Sequence, residues 1–420
     1  MVFLGAVSVA GAEGLDPLLQ AVAASKPIVD FRLRYENVEQ EGIVNQANAA
    51  TWRLRIGAET GKAWNTSLLA EAELVEAPND SYRADNAVTN LHTTYPVVAD
   101  PASHEINRLQ LTNTSLPATT VILGRQRINL DDQRFVGSVG WRQNEQTFDA
   151  LRLVNQGVEH LSIDVTAFNR VNRIYGADSP QSPYQGRGYL GNVAYQLPYA
   201  KLTGFAYLLD FDPMSFVTGP GVTSAQAAAL NPARASTSTY GLRASGEIPL
   251  GAVKLGYVTS YATQKPRADN PVQFDHNVYF MGELAATYQW ITLTAGEESL
   301  HGDGTIGFST PLATLHKFQG WVDKFLSTPA NGIDDRYLSL GATRAKLGPF
   351  ATVTATLVGH DYQAQHVDAD YGQELDMLLA AKYRRTTTTL KYGRYFAAAT
   401  TPTSVARDTD KFWAQFEFAL

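Results

Sequence analysis

The chain has 420 residues, and its 34 Lys and Arg against 41 Asp and Glu give a formal net charge of −7. Only 18% of the residues are charged, below the roughly 25% of an average soluble domain, whereas 20 Tyr, 18 Phe, 6 Trp and 33 Gly are present. The lack of Cys excludes disulfides, thiolate metal sites and Cys nucleophiles, and a negative chain without a Lys- and Arg-rich run excludes a nucleic-acid partner.

The start of the chain is apolar but short. Residues 2–12 form the longest apolar run, far below the roughly 20 residues that a membrane helix needs. The run ends in a small-x-small pattern, which favours a residual signal peptide over residues 1–12, with an ordinary buried helix or strand as the alternative. Residues 13–29 are expected to form a short N-terminal periplasmic segment that includes one helix near 15–24.

From residue 30 onward, apolar and polar side chains alternate, which is the period-2 pattern of a strand with two different faces. In the first such segment, Phe31 and Leu33 take one face while Arg32 and Arg34 take the other. We expect eighteen strands, at residues 30–38, 49–59, 64–76, 105–113, 119–129, 147–154, 159–170, 188–197, 201–211, 238–248, 252–263, 276–288, 291–298, 335–346, 350–361, 372–384, 386–396 and 410–420.

Tight turns and long polar loops alternate between these strands. The longest loops, 77–104, 212–237 and 299–334, are rich in Pro, Gly, Asn, Asp, Thr and Ala. This asymmetry predicts an all-β fold, a single transmembrane antiparallel β-barrel over residues 30–420, with short periplasmic turns and long extracellular loops. The strands of a soluble β-sandwich also alternate apolar and polar residues, but a sandwich would not need short turns at one end and long loops at the other. The aromatic residues at the segment ends are typical of the girdles at a membrane interface.

The last segment places Phe412, Ala414, Phe416 and Phe418 on one face. This pattern resembles the C-terminal strand signal that the barrel-insertion machinery reads, although the last residue there is usually Phe and here is Leu420. The expected location is therefore the cell outer membrane of a Gram-negative bacterium. The expected surroundings are outer-membrane lipid and lipopolysaccharide, and the insertion machinery is an expected partner.

Side chains opposite the lipid-facing residues must point into the lumen, because a charge at membrane depth needs water. Acidic residues share this parity, so the lumen is expected to carry both signs. Several basic residues fall near the seam where the last strand meets the first. They could guide an anionic solute through the pore, or each could pair with a neighbouring carboxylate, and both interpretations remain open. The inward-facing basic residues that parity predicts are Arg32, Arg34, Arg53, Arg55, Arg108, Arg152, Arg243, Lys254, Lys382, Arg384 and Lys391.

Other kinds of site are less favoured. The 8 His are scattered without ligand spacing, so we expect no transition-metal site and no cofactor. The acidic clusters at 131–132, 334–335 and 368–370 could hold a Ca²⁺ ion, but solvated loop charge is favoured because none follows a complete calcium-loop pattern. The sequence contains no nucleophile elbow, P-loop or dinucleotide fingerprint, so the chain is not expected to be an enzyme.

Residues 124–153, GRQRINLDDQRFVGSVGWRQNEQTFDALRL, resemble the hallmark region of the alginate-export family of outer-membrane porins. The matching parts are a Gly-Arg-Gln strand end, an acidic turn, an Arg-Phe-Val-Gly loop, a Trp-Arg-Gln step and a Thr-Phe-Asp-Ala-x-Arg strand. The likeness extends more loosely over residues 30–420, including the Arg-x-Arg-Tyr-Glu that begins at Arg32 and the count of eighteen strands. It implies a monomeric channel with an electropositive, arginine-lined constriction for an anionic polysaccharide or its fragments.

The resemblance also implies constriction residues by motif position. Strict parity puts Arg125 with Val121 and Leu123, so Arg125 faces inward only if a bulge intervenes. The residues implied are Arg125, Arg127, Arg134 and Arg142, which would join Arg32, Arg34 and Arg152.

The function expected from the sequence is an outer-membrane porin for the passive passage of anionic or polar solutes, including an acidic polysaccharide such as alginate or its oligomers. Two alternatives remain open, an outer-membrane lipid or ester hydrolase barrel and a loop-based adhesin or receptor. A plugged lumen without conductance would favour the adhesin, and turnover of lipid or ester substrates would favour the hydrolase.

Overall fold

A computed structural model describes residues 16–84, 92–179, 181–214, 228, 230–402 and 405–420. The predicted signal peptide, residues 1–12, lies outside these residues. A short helix, α1 (Asp16–Ala23), precedes the first strand, as predicted. Among the described helices, none has the length and apolar character that a membrane span requires.

Within the described residues, the chain forms eighteen strands, one for each strand predicted from the sequence. The first strand begins at Lys26, so the end of the segment predicted to precede the barrel belongs to it. The strands are β1 (Lys26–Gln40), β2 (Ala47–Glu59), β3 (Thr66–Glu76), β4 (Ser103–Asn113), β5 (Thr119–Gln126), β6 (Thr147–Asn155), β7 (Leu161–Asn172), β8 (Tyr184–Gln196), β9 (Lys201–Phe211), β10 (Thr237–Leu250), β11 (Val253–Pro266), β12 (Asn277–Tyr288), β13 (Ile291–Leu300), β14 (Ile333–Leu347), β15 (Phe350–Gln363), β16 (Asp370–Tyr383), β17 (Thr386–Phe396) and β18 (Thr409–Ala419).

The strands close into one antiparallel barrel. Each strand pairs with the next along the chain, and β18 pairs with β1, so that Arg32 lies opposite Glu417 and Arg34 opposite Gln415. Closure satisfies the backbone groups of both terminal strands, which an open sheet would leave unpaired. The predicted fold class, a transmembrane antiparallel β-barrel of eighteen strands, is confirmed.

The alternation in the sequence separates an apolar outer wall from a polar interior. Leu33, Leu242 and Leu284 are exposed on the outside, whereas Arg34 and Glu36 on β1 point inward and are buried. Exposed apolar side chains over such an area suit lipid rather than water.

The connections differ between the two ends of the barrel. Tight turns such as 251–252 join strands at one end, where Gly251 supplies the positive φ that so short a turn needs. The long connections 77–102, 127–146, 212–236 and 301–332 all lie at the other end. The predicted asymmetry of short turns and long loops is therefore present.

Two long loops fold into the barrel. Residues 127–146 and 301–332 bury apolar side chains against the inward faces of the strands. The shared core includes Ile128, Leu130 and Val136 of the first loop, Phe308, Leu312, Val322 and Phe325 of the second, and Phe205, Tyr207, Tyr279 and Tyr362 of the wall. These two segments, named here the first and second constriction loops, narrow the lumen.

The predicted topology can be tested by labelling, because the natural chain has no Cys. Asp275, in the loop 267–276, and Glu159, in the turn 156–160, each have side chains that are 89% exposed. We expect a membrane-impermeant thiol reagent to label Asp275→Cys on intact cells and to label Glu159→Cys only after the outer membrane is opened. Labelling of Glu159→Cys on intact cells would reverse the assignment of the two ends.

Candidate constriction site

The first constriction loop starts at the wall formed by β2, β3 and β4. Arg127 forms ion pairs with Glu145, at the other end of the loop, and with Glu71 of β3. Asn107 donates hydrogen bonds to both carboxylates at 2.6 and 2.7 Å, and Arg108 holds Glu71 through two hydrogen bonds. The two ends of the loop are therefore fixed to one charged network on the inner wall.

The loop then reaches the wall formed by β8, β9 and β10. Asp131 accepts hydrogen bonds from Asn192 and Lys201 at 2.9 and 3.2 Å, and Asp132 pairs with Arg243 at 3.0 Å. The carboxylates of the acidic cluster 131–132 are thus paired with side chains of the barrel wall.

Farther along, Arg134 forms a buried ion pair with Glu298 of β13 at 2.6 Å. Val136 forms a β-bridge with Leu312, which joins the two constriction loops. Backbone hydrogen bonds from Gly137 to Leu312 and from Thr314 to Gln133 extend this contact. The two loops therefore form one folded unit inside the barrel.

The loop completes its circuit at the seam between β18 and β1. Arg32 donates to the carbonyl oxygens of Gly140, Trp141 and Arg142 at 3.0 to 3.1 Å, and the guanidinium of Arg34 lies 4.2 Å from the centre of the Trp141 ring. Residues 127–146 thus contact the wall around most of its inner circumference. The segment that carries the family resemblance is the segment that lines the constriction.

Asp323 of the second constriction loop connects several elements. Its carboxylate lies 3.0 Å from Arg142, 2.8 Å from His316 and 3.4 Å from Lys411 of β18, and all four side chains are buried. Burial acts to raise the pKa of Asp323, but the contacts with His316, Lys411 and Arg142 hold it well below its ordinary value. Asp323 is therefore a buried anion that fastens both loops to the wall.

Lys391 of β17 lies in an aromatic cage beside this anion. Its ammonium group is 4.2 Å from the ring centre of Trp141, 3.9 Å from that of Trp321 and 5.3 Å from that of Trp413. It also donates a hydrogen bond of 2.7 Å to Nε2 of His316, whose Nδ1 donates to Asp323. Burial and nearby cations lower the pKa of His316 to about 3, so that the imidazole is neutral at pH 7.

The basic residues near the seam face inward, as parity predicts, but the loops cover them. Arg34 pairs with Asp100, Arg53 with Asp30, and Arg55 with Glu73 and Glu145. Arg32, Arg34, Arg53 and Arg55 are each at most 7% exposed. Of the two interpretations that the sequence leaves open, the geometry favours pairing with carboxylates for these four, since Arg32 also pairs with Glu417.

Other basic residues do reach the interior space. The side chain of Arg127 is 30% exposed while its partners Glu145 and Glu71 are 2% and 1% exposed, and Lys201 is 43% exposed against 12% for Asp131. Arg108, Arg152 and Arg243 are also inward and partly exposed. Because these groups lie inside a closed barrel, their exposure marks space that water can enter. In the pairs of Arg127 and Lys201, the cation faces that space and the anion lies behind it.

Four further predicted residues occupy different positions. Arg142 and Lys391 are buried in the contacts between loops and wall, whereas Lys382 is exposed near the turn end of β16. Arg125 corrects the prediction made from motif position, because it lies on the outer wall. It stands opposite Leu109 and Asp149 in a register that runs through β5 without a bulge, on the same face as the exposed Leu123.

Asp323, His316 and Trp321 fall within 299–334, which the sequence predicts to be a polar loop, and no motif distinguishes them. One signal was present: the segment 301–332 contains Phe308, Leu312, Val322 and Phe325, and a loop that is rich in large apolar residues must bury them.

Comparison with known proteins identifies the fold. No protein-family model matches the chain, and no curated protein matches its sequence. The structure of OpdK from Pseudomonas aeruginosa, solved with vanillate, matches with a TM-score of 0.70 at 12% identity over 95% of this chain and 99% of that one. OccAB1 from Acinetobacter baumannii gives 0.70 at 12% identity, with 95% and 97% covered, and OccK11 (OpdR) from P. aeruginosa gives 0.67 at 14% identity, with 96% and 97% covered.

At such identities the likeness carries the barrel architecture. OpdK is an outer membrane protein, and the similarity spans nearly the whole of both chains. The resemblance of residues 124–153 to the alginate-export family is matched by no family model and stays a prediction.

Proposed function

We propose that this protein is a passive outer-membrane channel for small anionic or polar solutes in a Gram-negative bacterium, and not an enzyme. The observation that carries the proposal is the uneven exposure of the ion pairs at the constriction. Arg127 and Lys201 face the interior of the barrel and are more exposed than their carboxylate partners. A solute that passes the first constriction loop therefore meets guanidinium and ammonium groups first.

Local position outweighs the net charge of −7. Two unit charges about 4 Å apart interact by about 4 kcal/mol at an effective dielectric constant of 20, whereas charges beyond the Debye length of about 8 Å are largely screened. Exposed cations at a narrow point can thus favour an anion even in an acidic protein. Guanidinium groups also bind carboxylates with two parallel hydrogen bonds, which favours carboxylate-bearing solutes.

Two comparisons bear on the cargo. OpdK, which shares the barrel fold, was solved with vanillate, an aromatic carboxylate. The motif resemblance of residues 124–153 adds acidic polysaccharide, such as alginate or its oligomers, as a second cargo. Both are carboxylates, so the same exposed cations would serve either, and we propose a monomeric channel in each case.

The proposal is tested by removing the exposed charge while the buried network is kept. In an Arg127→Gln and Lys201→Gln double variant, Glu71 keeps Arg108 and Asn107, and Glu145 keeps Arg55 and Asn107, so the barrel should fold. We expect its reversal potential under a salt gradient to shift toward cations, and block by added uronate oligomers to weaken.

The matched control removes one Arg and one Lys from the outer face of β14. In Arg344→Gln with Lys346→Gln, both positions are exposed and directed away from the lumen. This control should keep the selectivity of the natural protein. Equal shifts in the two double variants, or no shift in either, would contradict the assignment of Arg127 and Lys201 to the permeation path.

A further inference from the structure

On the outer wall, the outward-facing side chains of β5 to β9 change from apolar to charged at the same height above the turn end of the barrel. Below this level, Leu123, Leu151 and Tyr189 are about half exposed on the outer face. The next outward positions toward the loop end are Arg125 on β5, Asp149 on β6, Arg170 on β7, Arg187 on β8 and Asp210 on β9. The change from apolar to charged residues thus occurs at the same height on neighbouring strands. It marks the edge, toward the loop end, of the apolar band that lipid covers.

A cleft of about 490 Å³ opens at this edge. It is lined by Asp149, Asn169, Arg170, Gln185, Arg187 and Asp212. Its floor includes Gly186 at φ +134°, where a Cβ would lie 2.2 Å from the carbonyl oxygen of Asp210. No other residue fits this backbone without a shift, so Gly186 allows β8 to approach the backbone of β9 closely at that point.

The arginine side chains in and beside the cleft differ in how many hydrogen-bond and ion-pair partners they have. Arg125, beside the cleft, is held by Asp149 through hydrogen bonds of 2.7 and 3.1 Å. Arg170 donates to Asn172 and lies 4.0 Å from Asp149, which Arg125 already occupies. Arg187 is exposed and forms no ion pair with any residue that the structure describes. Two guanidinium groups are therefore available to a ligand at the boundary between lipid and water.

We propose that this cleft binds the phosphorylated sugar headgroup of a lipid in the outer leaflet. Arg170 and Arg187 would bind the phosphate, since guanidinium groups form paired charge-assisted hydrogen bonds with phosphate oxygens. Asn169, Gln185 and Asp212 supply the amide and carboxylate groups that bind sugar hydroxyls. The acyl chains would lie on the apolar wall below, beside Leu151 and Tyr189.

This inference rests on the proposed outer-membrane location, but it concerns the outer wall and not the pore. A phosphorylated lipid fits the cleft better than a soluble protein partner, because the cleft is continuous with the apolar band. The residues of the constriction take no part in it.

The test uses the purified barrel in non-ionic detergent and native mass spectrometry with diphosphorylated lipid A as the probe. We expect Arg187→Gln to weaken binding about tenfold or more, the scale of one charge-assisted hydrogen bond, and Arg170→Gln with Arg187→Gln to weaken it further. Arg187→Gln removes no native ion pair, so it should fold as the natural protein does. Lipid A without phosphates should bind the natural protein as weakly as the diphosphorylated form binds the double variant.

Arg336→Gln is the matched control, because Arg336 is exposed on the outer face of β14 and pairs with Glu297 outside the cleft. Equal loss of lipid in this control would overturn the proposal, since any surface arginine would then serve. Displacement of lipid A by low millimolar inorganic phosphate would assign the cleft to free phosphate and also overturn it. Conductance measured on the same samples separates the two proposals: a conducting channel without selective lipid binding contradicts only this one.

Discussion

A chain that lacks residues 416–420 is expected to yield no folded barrel. Without the deletion, β18 pairs with β1 on one side and with β17 on the other, and Phe416 lies opposite Leu33 and Thr388. The deletion leaves backbone groups of both neighbours unpaired within the membrane, where each costs several kcal/mol. It also removes Glu417 and leaves Arg32 without its carboxylate partner. The measurement is the heat-modifiable, protease-resistant band of a folded barrel in outer-membrane fractions.

Leu420→Phe provides the control for this prediction. It keeps the strand and restores the aromatic residue that usually ends the insertion signal, so assembly should be unchanged or improved. A heat-modifiable band of natural intensity from the truncated chain would show that the last strand does not close the barrel.

Replacement of Asp323 by Ala is expected to release the two constriction loops. The carboxylate is shared by Arg142, His316 and Lys411. Its removal leaves the buried Lys411 without its anion and takes from Arg142 one of its carboxylate partners, although Arg142 keeps Glu36. Breaking a buried pair in this way costs about 3–5 kcal/mol. We expect a lower unfolding temperature, a larger mean single-channel conductance and more frequent current fluctuations, because the loops would no longer be fastened to the wall.

The control for the loops is Asp275→Ala, which removes a loop aspartate that is 89% exposed. It should leave both stability and conductance unchanged. If Asp323→Ala gave the same quiet current as this control, the loops would be held by their apolar core alone.

Because Asp323 is titratable, we also expect the stability and the conductance of the channel to depend on pH. The pKa of Asp323 in the folded protein lies well below its ordinary value of 3.8. The carboxylate therefore contributes fully to the stability of the folded protein at any pH well above 3.8. Stability is then lost as the pH falls below 3.8 toward the folded pKa. The natural channel should therefore keep its conductance from neutral pH down to about 4. The Asp323→Ala variant should show frequent current fluctuations over the whole of this pH range.

The barrel could be predicted from the sequence because its determinants are local. Alternation along a strand is fixed by the pleat, so the inward positions of Arg34, Arg152 and Arg243 followed from residue parity alone. Parity also indicated correctly that Arg125 faces outward, whereas the motif resemblance did not. The strand ends are predicted to within a few residues. The largest differences are at the starts of β1 and β8, which begin at Lys26 and Tyr184 instead of at 30 and 188, and in β1 the residues Lys26 to Val29 interrupt the alternation.

The constriction could not be predicted in the same way. Parity gives the face of a side chain but not what covers it. Arg32 and Arg34 are covered by loop residues that are distant in sequence. The pairing of Arg34 with Asp100, and of Arg142 with Asp323, depends on long-range packing that has no period. The cations that pair with the first constriction loop and are most exposed are Arg127 and Lys201. Lys201 is absent from the set predicted from the sequence.

Selectivity for anions is tested most directly by the reversal potential of the natural protein in a planar lipid bilayer under a KCl gradient. We predict open single-channel conductance with preference for chloride over potassium, because Arg127 and Lys201 face the permeation path and their carboxylates do not. A channel that prefers potassium, or a folded barrel without conductance, would contradict it.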